Sequence, residues 1–274
     1  MISENLTIIQ KLFDDYQMSS SATDFHLSDP VFFPKQYSNK LDIEVSAFIA
    51  SIFALGPRYA IMKSLKRIFG LVDESPFDFI VNFDPDIAIK KLSGYVQFAY
   101  KNIQSNDVIQ ILYMLKLIIS KYGSLELAFL RYFEDCTPQP AFVMLSKFLN
   151  EMKSQEIPMV LGGTMTERAA ALLATPDQGS ACKRMNMFLR WMVRKDKIDF
   201  GIYHWFGTEN LIIPLDVNVS RAARKLGIIN RKTDNWRTAV EITEALKELD
   251  PKDPVKYDIP LFLYGIKIRK SERA

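Results

Sequence analysis

The stretch TMTERAAALLATPDQGSACKRMNMFLRWMVRK, residues 164–195, decides the fold. Thr164 with Glu167 three residues on reads as a capping box ahead of the apolar run Ala169, Ala170, Leu172 and Leu173. Pro176 to Ser180 breaks the chain for only a few residues, and a long helix then runs from about Ala181 to Lys195. Two helices joined by so short a link form a hairpin. Upstream, LDIEVSAFIASIFALG (41–56) carries the three- and four-residue spacing of a buried helix that ends at Gly56-Pro57. A second helix follows through Ile61, Leu65 and Ile68 to Gly70, Asp84-Pro85 opens another, and Ser105 to Lys121 forms one that stops at Gly123. Ser124-Leu125-Glu126 starts the next, and Pro138 and Pro140 mark a further entry. Downstream, Leu215 to Leu226 ends at Gly227, Asp234 to Leu249 is helical, and Asp253 or Pro254 begins the last helix, which runs past Gly265 into a basic tail. Strand signals are scarce, and no repeat, low-complexity segment or long linker interrupts the pattern. The expectation is an all-α chain, a single helical domain over residues 1–274 with two lobes and a cleft between them.

Composition narrows the function classes. With 274 residues, 48% of them hydrophobic, the chain can bury a sizeable core. Two cysteines, Cys136 and Cys182, and two histidines, His26 and His204, are too few for a disulfide framework, a four-cysteine iron–sulfur cluster or a zinc finger. His204, beside Trp205 and Phe206, reads as a packed or surface histidine rather than a metal ligand. The low cysteine count fits a reducing, cytoplasmic setting. The amino terminus, MISENLTIIQKLFDDYQ, shows no secretory signal. The most apolar run, Ile109 to Ile119, is interrupted by Lys116 and falls short of the roughly 20 residues a membrane span needs.

The 35 basic and 32 acidic residues leave a net charge of only +3, but the charge is unevenly placed. Between Lys183 and Lys232 eleven basic residues face four acidic ones, a local charge of +7 against −4 elsewhere. Such a region is the footprint of a polyanion partner or, as readily, a solvated basic face. Lys183, Met187, Arg190 and Arg194 recur at steps of four, three and four, on one face of a helix.

Several motifs fail on inspection. Asp199-Phe200-Gly201 spells the metal-binding tripeptide of protein kinases without the glycine-rich loop or catalytic loop that should precede it. Gly162-Gly163 lacks the rest of a phosphate loop and reads as a turn. What remains is a pair, Lys183 in the first turn of its helix and Asp216 ahead of the helix that ends at Gly227. The positive helix terminus and the adjoining Arg184 disfavour an ammonium at Lys183, and a neutral lysine can attack an electrophilic carbon to form a Schiff base. On composition alone the simpler readings are an N-cap for Asp216 and a surface position for Lys183.

The pair gains meaning from a resemblance. IPLDVNVSRAARKLG (213–227) resembles the segment bearing the essential aspartate in the helix–hairpin–helix DNA glycosylases, and GSACKRMNMFLRWMVRKDKIDFG (179–201) is similar to their hairpin and lysine-bearing helix. The 33-residue spacing of Lys183 and Asp216 is similar to that of the archaeal 8-oxoguanine DNA glycosylases. The hairpin departs from the usual leucine-proline-glycine-hydrophobic-glycine loop, reading Pro176-Asp177-Gln178-Gly179-Ser180. LDIEVSAFIASIFALG, KRMNMFLRWMVRKD, PLDVNVSRAARKLG and DPVKYDIPLFLYG together resemble, over nearly the whole chain, a bacterial family of conserved proteins of unknown function, the DUF2400 group.

The glycosylase resemblance implies a DNA repair enzyme that bends duplex DNA and extrudes a damaged base, 8-oxoguanine being one candidate, into the inter-lobe cleft. Lys183 and Asp216 would be catalytic, with possible abasic-site lyase activity through a lysine Schiff base. Gly179, Ser180, Arg184, Arg190, Arg194, Lys195, Arg221 and Arg224 would contact DNA, and Trp191, Trp205 and Phe206 would stack or wedge at the base, although large aromatics more often fill cores. The resemblance implies no organic cofactor and no catalytic metal, and it allows a structural alkali ion at the hairpin. The rival readings are a non-catalytic DNA-binding protein of glycosylase-like fold and a helical protein-interaction scaffold.

Overall fold

The fold is that of a computed structural model describing residues 4–19, 28–72, 74–92, 103–133 and 138–272. His26 and Cys136 lie outside the described residues. Among the described residues the regular structure is helical, and β pairing is confined to two isolated bridges, Ser180 with Asn235 and Lys195 with Phe200. None of the described helices is long and apolar enough to cross a membrane.

The chain divides into two compact units. One comprises Met1–Phe25 and Pro176–Ala274, the other His26–Thr175. Helix α1 (Glu4–Met18) belongs to the first. The central unit holds α2 (Lys40–Ile52), α3 (Arg58–Phe69), α4 (Pro76–Val81), α5 (Pro85–Leu92), α6 (Ser105–Tyr122), α7 (Leu125–Leu130), α8 (Pro140–Lys153) and α9 (Glu167–Leu172). The outer unit resumes with α10 (Lys183–Val193), α11 (Val217–Lys225), α12 (Trp236–Lys247) and α13 (Asp258–Ser271).

In the central unit α2 and α6 are apolar around most of their circumference and form the core, as helices with so wide an apolar surface must. Phe148 of α8 stacks on Phe129 of α7 at 4.1 Å between ring centroids. Gly123, at φ 85°, ends α6 in a conformation that other residues adopt at a cost, and Ser124 Oγ then accepts from the backbone N–H of Leu127 to start α7. Asp107, buried in the first turn of α6, accepts from Thr166 Oγ1 and from Arg168 Nε at 2.7 Å, which ties α9 to α6.

The sequence places most of these helices within a few residues, and the departures have local causes. Thr166, not Thr164, caps α9, accepting from Ala169 N–H, while the Thr164 carbonyl accepts from Gln110. Helix α10 starts at Lys183 and stops at Val193, because Arg194 turns extended at ψ 150°. The expected tight hairpin is replaced by ten residues, Leu173–Cys182, that contain the 3-10 turn Pro176–Gln178. Helices α9 and α10 fall in different compact units.

Candidate functional site

Helix α10 begins under strain. Cys182, its N-cap, sits at φ 47°, the one described residue other than glycine with positive φ, and its side chain caps nothing. A left-handed L-residue costs of the order of 1–2 kcal/mol and is retained where surrounding contacts hold it. Here Ser180 Oγ accepts from Cys182 N–H at 3.1 Å, and Asn186 Nδ2 donates to the Ala181 carbonyl at 3.0 Å. The next residue is Lys183.

Asp216 approaches from a different element. Residues 211–215 form no helix, with Ile213 and Leu215 buried in the same cluster as Ala239, Ile242 and Leu246 of α12 and Ile213 N–H donating to Thr243 Oγ1. This delivers Asp216 to the N-cap of α11, where Oδ1 accepts from Asn218 N–H at 2.8 Å and from Val219 N–H at 2.9 Å. Oδ2 lies 3.5 Å from Lys183 Nζ. One carboxylate therefore serves two ends, its first oxygen fixed by the helix and its second facing the amine. The pair is reachable from solvent, the lysine side chain 36% and the aspartate side chain 13% exposed. Helix α13 packs against α11 so closely at Gly265 that a β-carbon there would overlap the Asn218 carbonyl, two residues from Asp216.

Beneath the pair runs a buried ion network. Arg190 lies two turns after Lys183, on the same side of α10. Its Nη1 donates to Asp258 at the start of α13 and its Nε to Asp199 at 3.3 Å. Arg194 Nη1 donates to Asp199 and, at 2.9 Å, to Asp196, while its Nε donates to Asp253 at 2.8 Å. Burial pushes the Asp258 carboxyl up to about 6 against the pull of Arg190, and the charge of Asp216 raises it further while Lys183 opposes. Burial likewise raises the Asp199 carboxyl. The Arg194 guanidinium stands above its ordinary value, because its carboxylate partners outweigh the burial that opposes its charge.

This network corrects two expectations. Arg190 and Arg194 were expected on a DNA-facing surface but are only 5% and 8% exposed, and their donors are taken by carboxylates. A desolvated guanidinium needs its counter-charge within the protein, so neither reaches a phosphate. Trp191 and Phe206 are likewise core residues rather than stacking platforms, whereas Trp205 is half-buried and stacks on Tyr203 at 5.8 Å. The tripeptide at Asp199 is a salt-bridge anchor, and Gly162-Gly163 is the turn its spacing suggested, both residues at positive φ.

The remaining expected contacts are accessible to different degrees. Gly179 is exposed at φ 82°, and its carbonyl accepts from Trp236 N–H at 3.3 Å. Ser180 is half-buried and pairs with Asn235. Arg184 is half-buried, and desolvation lowers its guanidinium to about 10, still protonated at neutral pH. Arg221 Nη1 donates to Asn218 Oδ1 at 3.1 Å, and Arg224 pairs with Asp234. Lys195 is exposed. Asp253, Asp258 and the strained Cys182 were not legible as site residues, since the acids lie 59 and 68 positions from the arginines they meet. Among the described residues no group of His, Cys, Asp and Glu is arranged to hold a metal ion.

The family described as protein of unknown function (DUF2400) matches residues 29–267, most of the chain, and the chain belongs to it. No curated protein and no solved structure matches.

Proposed function

We propose that this member of the family is a DNA glycosylase with abasic-site lyase activity, acting through Lys183 and Asp216. The observation that carries the reading is the 3.5 Å approach of Lys183 Nζ to Asp216 Oδ2, with the carboxylate held at a helix N-terminus by its other oxygen. An amine and a carboxylate so placed form a nucleophile and a base within reach of one another.

The chemistry assigned to them balances without a cofactor. The Lys183 amine gives up a proton, with Asp216 as acceptor, and attacks the sugar C1′. The bond from C1′ to the base breaks, and the base departs with that electron pair and takes up a proton. Asp216 stabilises the positive charge that develops on the sugar as the base leaves. Opening of the C1′–O4′ bond gives the iminium, loss of a C2′ proton expels the 3′ phosphate, and hydrolysis of the imine frees the lysine.

Borohydride trapping on duplexes containing 8-oxoguanine, other lesions or an abasic site tests this. The wild-type chain is expected to form a covalent adduct that Lys183→Gln abolishes. Asp216→Asn keeps an N-cap of equal quality and is expected to slow adduct formation about 10²–10⁴-fold with little loss of stability. No adduct on any duplex, or an adduct undiminished in Lys183→Gln, would overturn the reading. Salt-sensitive duplex binding without an adduct would favour a non-catalytic DNA-binding protein instead.

A further inference from the structure

With Arg190 and Arg194 neutralised internally, a DNA substrate needs other cations, and the central unit supplies a row of them. We propose that the outward face of α3, with Lys91 of α5, binds the phosphate backbone of duplex DNA. This rests on the glycosylase reading for its choice of partner but on separate residues.

Helix α3 is two-faced. Ile61, Ser64, Leu65 and Ile68 are buried, while Tyr59, Met62, Lys63, Lys66, Arg67 and Gly70, at steps of three and four, line a surface groove of about 720 Å³. Lys91 reaches the same groove from α5, so among the described residues four cations and no carboxylate line it. Helix-dipole complementation accounts for basic residues in the last turns of α3 and α5. It does not account for Lys63 in mid-helix, for the absence of any acid in residues 58–70, or for Tyr59, which is 78% exposed. The face from Tyr59 to Gly70 is about 16 Å long at a helical rise of 1.5 Å per residue, and that length covers about three successive phosphates of one strand, which follow one another at roughly 6–7 Å along the backbone. A line of cations of that length suits an extended polyanion better than a small anion, which needs donors converging on a point. The exposed ring of Tyr59 adds a surface for sugar or base contact. A neighbouring cavity of about 560 Å³ shares Leu71 and Lys91 but carries Glu74, Asp78 and Asp84, and this acidic border confines a phosphate backbone to the α3 side. The charge sum over the sequence conceals the face, because these acids follow it closely in the chain.

The test is the salt dependence of binding to a short undamaged duplex, followed by fluorescence anisotropy, for the full chain and for a Lys63→Gln, Lys66→Gln, Lys91→Gln triple variant. All three lysines are exposed, and the helical circular dichroism is expected to be unchanged. If each contacts one phosphate, the slope of log affinity against log salt falls in magnitude by about 2.7, at about 0.9 per contact, and low-salt affinity drops about 10–100-fold. An unchanged slope and affinity would sink the proposal, as would a wild-type chain that does not bind duplex at low salt or prefers polyglutamate, the mark of an acidic protein partner. The triple variant is expected to keep wild-type adduct formation at saturating duplex, whereas Lys183→Gln loses it at any concentration. If no adduct forms but the triple variant still loses duplex affinity, the catalytic reading fails and this surface stands.

Discussion

Asp216 shows how one residue can have a structural role and a chemical one at once. Its Oδ1 does the capping that composition suggests, and its Oδ2 meets Lys183, which only the tertiary approach of the start of α11 to the start of α10 could arrange. Arg190 and Arg194 show the reverse, a charge that looks available in the sequence and is consumed in the fold. Arg190 faces the buried Asp199 and Asp258, and Arg194 faces the buried Asp199 with the half-buried Asp253, so each Ala variant takes from Asp199 one of its two guanidinium partners and leaves Asp258 or Asp253 without its own. Removing one partner of a buried ion pair costs about 3–5 kcal/mol. Both variants are therefore expected to unfold at markedly lower urea concentration than wild type. An unchanged unfolding midpoint with weakened duplex binding would return these arginines to the DNA surface. Lys183 and Asp216 were legible as candidates because their segments resemble those of the glycosylases. The fate of the arginines was not, because their partners lie up to 68 positions away.

At the scale of elements, local signals carried most of the fold. Gly123 and Gly227 end helices where the sequence places the stops, Ser124 begins the helix after Gly123, and Asp216 begins the one that ends at Gly227. The link between α9 and α10 is longer than the sequence suggests, ten residues, and the two helices belong to separate compact units. A second pairing across elements was also hidden. Glu44, in the middle of α2, accepts from Glu126 N–H in the first turn of α7, and burial pushes its carboxyl up to about 7, with Glu126 adding to the rise and Lys40 opposing it. The folded chain holds this proton where the unfolded chain releases it, so the Glu44 contribution to stability falls as pH rises from about 4.5 to about 7. Glu44→Gln imitates the protonated form and is expected to exceed wild type in stability by the order of 2–3 kcal/mol near pH 8, and to match it near pH 4.5. Urea midpoints at the two pH values check this, and a difference that does not vary with pH would refute it.

The whole molecule is less linear than its sequence. The outer unit joins the first helix to the last hundred residues, with Leu6 and Ile9 of α1 seated among Ile213, Val219, Ile242 and Leu261. Ile9 is fully buried, and truncating a buried isoleucine to alanine costs about 2–5 kcal/mol. Ile9→Ala is therefore expected to accelerate amide hydrogen exchange in α11, α12 and α13, which carry Asp216 and Asp258, more than in α6 of the central unit. Equal acceleration in both units would show that α1 stabilises the chain as one cooperative block. Hydrophobic periodicity, caps, glycine stops and proline entries act within a few residues of themselves, so the sequence alone determined an all-helical chain and most of its helix boundaries. It also brought Lys183 and Asp216 forward, through the resemblance of their segments to those of the glycosylases rather than through their helix-start positions alone. Only the tertiary structure decided which charges remain in water and which are neutralised inside, because desolvation and ion pairing depend on residues that the fold, not the chain, makes neighbours.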